Sequence, residues 1–462
     1  MARPLRFVIV SFVDDNFGDN LIRISFQSLL EVALGNHGLA RDDYEIRPMA
    51  LKAPDEALLE SADAIFFAGG GLFGLSYLNF FPFMDQITQV AEKREVPVIF
   101  SSMGLNNMSA EGGSADAIGQ VLRRSCVKAV SVRENLPLFE QLVSGQSYKV
   151  RQVADPAVWT RYIYGMQDVV PDGTLGINVV RGGLFADNDR KWGLGAEMKY
   201  LFEIKELADA AGTPAYFYTN GSLGDNNTLR YFAREYDIPD DRVILPQTTR
   251  EVVEAISTRS QIAAIRMHSS IISYSFGIPT SVLEWNDKLP HFYSAVGHPE
   301  RVIPFGEWTG ERVFEVLGNA GAAPEFEPGY RDYLMTTYTY IHTAVGESIL
   351  GSRSNASSAF EFDEVADALA ARSSAIREDE NDLRVKMGKA ERAFLGRFVA
   401  GREKDAKIRQ LTAREAKLAA QVDRLEAKVR EQQRELDSIL TRRVRRALRR
   451  RVGSLLRRLN LR

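Results

Sequence analysis

The chain is poor in the residues that build cross-links and metal sites. Among 462 residues there is one cysteine, Cys126, and there are five histidines. A single thiol forms no internal disulfide and rules out a cysteine-based structural zinc site. No cluster of His, Cys, Asp and Glu at ligand spacing stands out, so no metal and no other cofactor is expected. Long apolar runs are missing as well: none approaches the roughly 20 residues that span a bilayer. The opening "MARPLRFVIVSF" has too short an apolar run for a secretory signal and leads directly into a strand pattern. These absences suit a cytoplasmic protein.

Acid is absent from one stretch. Residues 441–462, "TRRVRRALRRRVGSLLRRLNLR", hold ten arginines and no Asp or Glu. With the whole chain at −3, removing those ten positive charges leaves about −13 over residues 1–440. A body that acidic excludes nucleic-acid binding by general electrostatics.

What is present is ordinary for a globular protein of two or three domains: 45% hydrophobic and 26% charged residues. Residues 1–165 alternate short apolar runs with longer amphipathic stretches. The runs are "RFVIVSF" (6–12), "AIFFAGG" (64–70), "VPVIFSS" (96–102) and "VKAVSVR" (127–133). Spaced by helix-length intervals, they read as buried parallel strands of an α/β domain. A linker-like "GMQDVVPDGT" (165–174) follows. A second set then runs through "LGINVVR" (175–181), "PAYFYTN" (214–220), "RVILP" (242–246), "IAAIR" (262–266) and "TSVLEW" (280–285). The expectation is two Rossmann-like domains, 1–165 and 174–350, with a linker at 351–375 that includes the Ser-rich "GSRSNASSAF".

From about residue 362 the chain is polar and reads as helical, with a helical and coiled-coil segment over 376–440. Ile408, Glu415, Val422, Val429 and Leu436 occupy heptad position a; Leu411, Leu418, Leu425, Gln432 and Ile439 occupy d. Eight of these ten seam positions are apolar, which predicts a homo-oligomer paired through 408–439. A long amphipathic helix lying on the body is the alternative. In the tail, Val444, Leu448, Val452, Leu455, Leu456 and Leu459 share one helical face and arginines fill most of the rest. That is the pattern of an interfacial helix on an anionic membrane. The alternatives are a disordered basic tail, or one that binds nucleic acid or another acidic partner.

In open α/β sheets ligands bind at the carboxyl ends of the strands. The residues just after each apolar run are therefore the ones to weigh. After 6–12 comes "VDDNFGDNLI", where Asn16 and Gly18 are loop candidates and a helix is expected to start near Asp19–Asn20. Asp19 is either that helix's cap or a base. After 64–68 comes "GGGLFG" (69–74), and after 98–102 comes "MGLNN" (103–107); Gly70, Gly71 and Gly104 are the acceptor-side candidates. No Gly-Lys-Ser/Thr follows the glycines, so they do not form a P-loop. On the second domain, Arg181 and Arg266 end strands and make an anion site, because guanidinium forks match phosphate and carboxylate. The amide of Ser269 opens a helix and adds a donor. His268 is placed to move a proton near neutral pH. The alternatives stay open: Arg266 paired with a structural carboxylate, and His268 a satisfied core residue. Glu284 is a cleft residue of unassigned role, and Trp159 reads as core.

The series "NFGDN" (16–20), "FAGGGLFG" (67–74), "SVREN" (131–135), "VADPA" (153–157), "GINVVR" (176–181), "RMHS" (266–269), "FGIP" (276–279) and "NDKL" (286–289) resembles the polysaccharide pyruvyl transferase family over roughly residues 5–300. The first loop departs from it, with "GDN" where the family more often has Gly-Asp-Glu. The resemblance implies two domains arranged like those of GT-B glycosyltransferases. It also implies transfer of a pyruvyl group from phosphoenolpyruvate to two sugar hydroxyls as a cyclic ketal. Carried onto this sequence, Arg181 and Arg266 hold the donor's phosphate and carboxylate, and His268 is the general acid. Phosphoenolpyruvate is then a donor substrate, with no resident cofactor. The acceptor would be a cell-surface polysaccharide or its lipid-linked precursor. With the basic tail, this places the protein at the inner face of the plasma membrane. A nucleotide-sugar glycosyltransferase and a non-catalytic membrane-associated coiled-coil scaffold are the competing readings.

Overall fold

The computed structural model describes residues 3–12, 16–74, 77–106, 113–186, 191–321, 329–355 and 358–376, with 428, 446, 450 and 451. Contacts divide the chain into one unit over Met1–Met387 and a second over Gly388–Arg462. The expected seam at 408–439 and the tail at 441–462 lie outside the described residues, apart from those four positions.

Two six-stranded parallel sheets form the first unit. Sheet one contains β1 (Leu5–Ser11), β2 (Tyr44–Ala50), β3 (Ala64–Ala68), β5 (Val98–Met103), β7 (Val127–Val132) and β8 (Val150–Gln152), in the order β2-β1-β3-β5-β7-β8. A two-residue ladder of β4 (Phe73–Gly74) with β6 (Leu105–Asn106) lies beyond the ends of β3 and β5. Sheet two contains β9 (Leu175–Asn178), β10 (Ala215–Tyr218), β11 (Val243–Ile244), β12 (Gln261–Ala264), β13 (Thr280–Leu283) and β14 (Val302–Ile303), in the order β11-β10-β9-β12-β13-β14. Every apolar run read from the sequence is a strand. Each is continuous rather than alternating because helices cover both faces: all five residues of β3 and all six of β5 are buried.

One apolar cluster runs from Phe7, Ile9 and Phe66 of the first sheet, through helix Phe17–Asn36, to Tyr218, Ile262 and Val282 of the second. The chain then returns to where it began. Helix Tyr330–Val345 lies on helix Phe17–Asn36 rather than on sheet two. Trp159 Nε1 donates to the Leu334 carbonyl (3.0 Å), and Tyr340 Oη donates to the Phe100 carbonyl (2.8 Å). The expected second domain therefore does not keep its last helix. The segment 351–375 is more than a linker: Phe362–Ala371 is a helix packed on helices Phe17–Asn36 and Thr160–Ile163. Phe362, Val365, Ala366 and Leu369 give it a buried stripe at helical spacing. The Ser-rich stretch just before it masks this signal in the sequence. Trp159 is fully buried and stacks on Phe362, so it is core.

Candidate active site

Each sheet reverses its strand order once, between β1 and β3 in sheet one and between β9 and β12 in sheet two. Such switch points leave a crevice at the carboxyl ends of the strands, because neighbouring connections depart to opposite faces. A cavity of about 200 Å³ lies there. From the first half, Phe12, Asn16 and Asp19 follow β1, Gly71 and Leu72 follow β3, and Arg133 follows β7. From the second half, Asn220 follows β10, Arg266–His268 follow β12, and Trp285, Asn286 and Lys288 follow β13. Phe80, from helix Tyr77–Lys93, completes the wall.

The first helix starts two to three residues before the expected point. Asn16 is its cap, accepting from the Gly18 amide (3.1 Å), and Phe17 is its first residue. Asp19 is therefore not the cap. It sits in the first turn, held by Asn16 Nδ2 at 3.0 Å, and lines the cavity. The Phe17 amide donates to the Asn220 carbonyl (3.0 Å), which ties the two halves together at the floor of the cleft.

His268 is the second residue of helix Met267–Ser275, whose cap position is Arg266. The amides of Ile265 and Arg266 both donate to Asn178 Oδ1, at 3.3 and 2.8 Å, which fixes the strand-to-helix turn. His268 is buried, and its imidazole packs against Gly18. Its Nε2 has no hydrogen-bond partner; Asp155 Oδ2 is 3.9 Å away. Burial lowers its pKa from the ordinary 6.5, opposed by Asp155 and Asp19 and helped by Arg133 and Lys288. The amide nitrogen of buried Asn220 is likewise without a partner, while its oxygen accepts from Asn178 (3.0 Å). Two buried polar atoms on one cavity wall are thus without a hydrogen-bond partner.

Arg266 is paired with a structural carboxylate, the second of its two sequence readings. Its Nε and Nη2 donate to the two oxygens of fully buried Asp225, at 3.1 and 2.6 Å, and it also lines the cavity. Arg181 does not line the cavity. Its amide donates to the same Asp225 (2.7 Å), and its side chain lies over Gly224. Ser269 also faces away: its buried hydroxyl bonds the Tyr218 hydroxyl, so the side chain serves the core. Gly71 lines the wall. The Gly70 carbonyl accepts from the Gly104 amide (2.7 Å), and Gly104 makes room for Arg133, whose Cζ would lie 2.8 Å from a Cβ there. Glu284 does not line the cavity; its neighbour Trp285 does.

Sequence reasoning missed Arg133, Asp155, Asn220 and Lys288 as site residues. Buried Arg133 is paired through Nη1 with buried Asp155. Partly buried Lys288 opens helix Lys288–Ala295, and burial beside Arg133 lowers it to about 8, against Glu134, Asp19 and Asp155. The available signal was the one applied to Arg266: all four follow a strand's carboxyl end. Among the described residues, no group of three or more His, Cys, Asp or Glu side chains could hold a metal ion.

Residues 9–287, more than half of the chain, match the polysaccharide pyruvyl transferase family. The chain belongs to that family. This pyruvyl transferase family member has no match among curated proteins. Solved structures of similar outline include UDP-GlcNAc 2-epimerase from Methanocaldococcus jannaschii, at 12% identity and TM-score 0.44, covering 71% of this chain and 97% of that one. A putative UDP-N-acetylglucosamine 2-epimerase from Listeria monocytogenes has 10% identity and TM-score 0.46, over 78% and 100%. The ADP-heptose heptosyltransferase II of E. coli has 10% identity and TM-score 0.34, over 68% and 98%. The family match contains every strand-end residue of the cavity up to Asn286; Lys288 lies one residue beyond it.

Proposed function

We propose that the protein transfers a pyruvyl group from phosphoenolpyruvate to two hydroxyls of a saccharide, forming a cyclic ketal and releasing phosphate. The observation that carries this reading is the contact of Gly18 with His268. Through it, the N-termini of helices Phe17–Asn36 and Met267–Ser275 meet at one cavity, with an unpartnered imidazole nitrogen in its wall. Helix N-termini and guanidinium forks favour the donor's phosphate and carboxylate. Bound anions also favour the imidazolium form and offset its burial.

Protonated His268 then gives its proton to the methylene carbon, and the ketal carbon gains cationic character. A sugar hydroxyl attacks that carbon and passes its proton to Asp19. The carbon–oxygen bond to phosphate breaks, and the second hydroxyl closes the ketal. Two protons leave the hydroxyls; one is replaced on the methyl group and one on phosphate. The two Rossmann-like halves, GT-B-like in arrangement, give each substrate one wall. The acceptor is a surface polysaccharide or its lipid-linked precursor. The basic segment 441–462 would hold the protein on the anionic inner face of the plasma membrane, and 408–439 would pair chains; both rest on sequence pattern.

Calorimetric titration with phosphoenolpyruvate tests the reading. The wild type should bind, Arg266→Ala should lose binding, and His268→Ala should bind without turnover. Saturable binding of a UDP- or GDP-sugar with no response to phosphoenolpyruvate would overturn it in favour of glycosyl transfer.

A further inference from the structure

The Asp155 carboxylate faces His268 without bonding it: Oδ2 stands 3.9 Å from Nε2. Both oxygens have other partners. Oδ1 accepts from the Ala157 amide (2.9 Å), and Oδ2 pairs with Arg133 Nη1. The residue just before it, Ala154, is fully buried past the end of β8 and is gripped on both sides. The Thr336 hydroxyl accepts from the Ala154 amide (2.9 Å) and donates to the Tyr333 carbonyl (2.6 Å). The Thr337 hydroxyl donates to the Ala154 carbonyl (2.6 Å), as does that of Ser102 (3.1 Å). Both threonines belong to helix Tyr330–Val345, by which the chain returns to its first half and which lies outside residues 9–287. Tyr333 of that helix also faces the carboxylate: burial, and then Asp155, raise its phenol above the ordinary range. Helices Met267–Ser275 and Tyr330–Val345 both pack on the turn Pro156–Trp159 that Asp155 caps. Hydroxyls that satisfy the amide and the carbonyl of one buried residue fix it in one place.

We propose that Thr336 and Thr337 are positioning residues of the transfer: they grip Ala154 so that the Asp155 carboxylate stands opposite His268. This rests on the reading above, in which His268 is the general acid, and adds the returning helix to the machinery. Burial works against the imidazolium. Asp155 is the first of the groups that oppose burial, ahead of Asp19 on helix Phe17–Asn36, whereas Arg133 after β7 and Lys288 on helix Lys288–Ala295 act in the same sense as burial. The attraction of Asp155 for the imidazolium weakens with distance. A shift of Ala154 carries the carboxylate with it, and the ring then gives up its proton at lower pH. The charged fraction at neutral pH falls, so kcat falls and its alkaline limb moves down in pH. Donor affinity rests mainly on guanidinium groups and helix N-termini and changes much less.

The test compares wild type with Thr336→Val and Thr337→Val, which keep the branched side chain and remove the hydroxyl. Phosphate release from phosphoenolpyruvate is followed against pH, with mild-acid-treated surface polysaccharide of the source cells as acceptor. The titration of His268 is followed by NMR; with five histidines in the chain, comparison with His268→Ala assigns its signal. In each valine variant His268 should titrate at lower pH than in wild type, and kcat at neutral pH should fall about tenfold, as a small misplacement of a catalytic group does. Phosphoenolpyruvate binding by calorimetry should stay within a few-fold, which also shows that the variants fold. Thr337→Ser should return both the titration and kcat toward wild type. A His268 titration and a kcat profile that match wild type in both valine variants overturn the assignment even where the melting temperature drops, because the grip is then structural only. If the wild type neither binds nor turns over phosphoenolpyruvate, the pyruvyl reading falls, and the His268 titration in the valine variants by itself decides whether the grip positions the carboxylate.

Discussion

Gly18 and His268 meet across the cleft so closely that a Cβ on Gly18 would lie 2.8 Å from Cγ of the imidazole. The glycine is in the first turn of one helix and the histidine in the first turn of another, so neither backbone yields easily. Gly18→Ala should therefore displace the ring rather than unfold the chain. The expected outcome is a fall in kcat of at least tenfold, with phosphoenolpyruvate affinity changed much less. Steady-state kinetics and calorimetry on the same preparation check this. An alanine variant with wild-type kcat would show that the ring's position is immaterial to turnover.

Strands were legible because both faces of each sheet are covered, which leaves continuous apolar runs such as "AIFFA" and "VIFSS". Strand β2 was not, because "YEIRPMA" lies at the sheet's edge and puts Arg47 and Pro48 in solvent. Arg266, His268 and Asn16 could be picked out by standing just after apolar runs. Asp19 could be named but not placed, because its role depends on which Asx residue caps the helix. Arg181 and Ser269 share those strand-end positions with the true wall residues; the Arg181 side chain lies over Gly224, and the Ser269 hydroxyl bonds buried Tyr218. Nothing local in the sequence distinguishes these cases, since each depends on a residue more than forty positions distant.

Glu197 should make stability depend on pH. Both of its carboxyl oxygens are buried without a hydrogen-bond partner. Burial, with Asp225 nearby, raises it to about 8 against the pull of Arg181 and Arg266. Its folded pKa lies above its unfolded one, so between about 4.5 and 8 the folded state holds a proton that the unfolded state has lost. The stabilisation is complete below the unfolded value and is lost as pH rises toward 8. Glu197→Gln carries no such titration. Its stability relative to wild type should rise by roughly 1–2 kcal/mol from pH 6 to pH 8, by urea denaturation. A constant difference would show that Glu197 ionises normally.

Leu334 tests the return of the chain to its first half. It is fully buried in the cluster that includes helix Phe17–Asn36. Leu334→Ala should cost about 3 kcal/mol, within the usual range for a buried leucine. Activity per folded molecule should be retained, since the residue does not line the cavity. A loss under 1 kcal/mol would mean that helix Tyr330–Val345 is not docked in solution.

Deleting residues 441–462 should move the protein from the membrane fraction to the soluble one. The segment holds ten arginines, and an arginine near an anionic surface is worth about 1 kcal/mol. A high-salt wash should weaken the full chain's attachment in the same direction. Equal membrane recovery with and without the segment would remove it as the anchor.

Asp225 joins these threads, because it holds Arg266, receives the Arg181 amide and faces Glu197. Asp225→Ala leaves a partly buried guanidinium without its carboxylate, which should cost about 3 kcal/mol. It also removes the repulsion on Glu197 and frees Arg266 to pair with that carboxylate. Glu197 should then titrate lower, and the pH dependence predicted for Glu197 should shrink in the Asp225→Ala background. Measuring both single variants and the double variant at pH 6 and pH 8 separates the effects: a coupling that grows with pH places the two acids in one electrostatic unit, whereas additive changes at both pH values would make them independent.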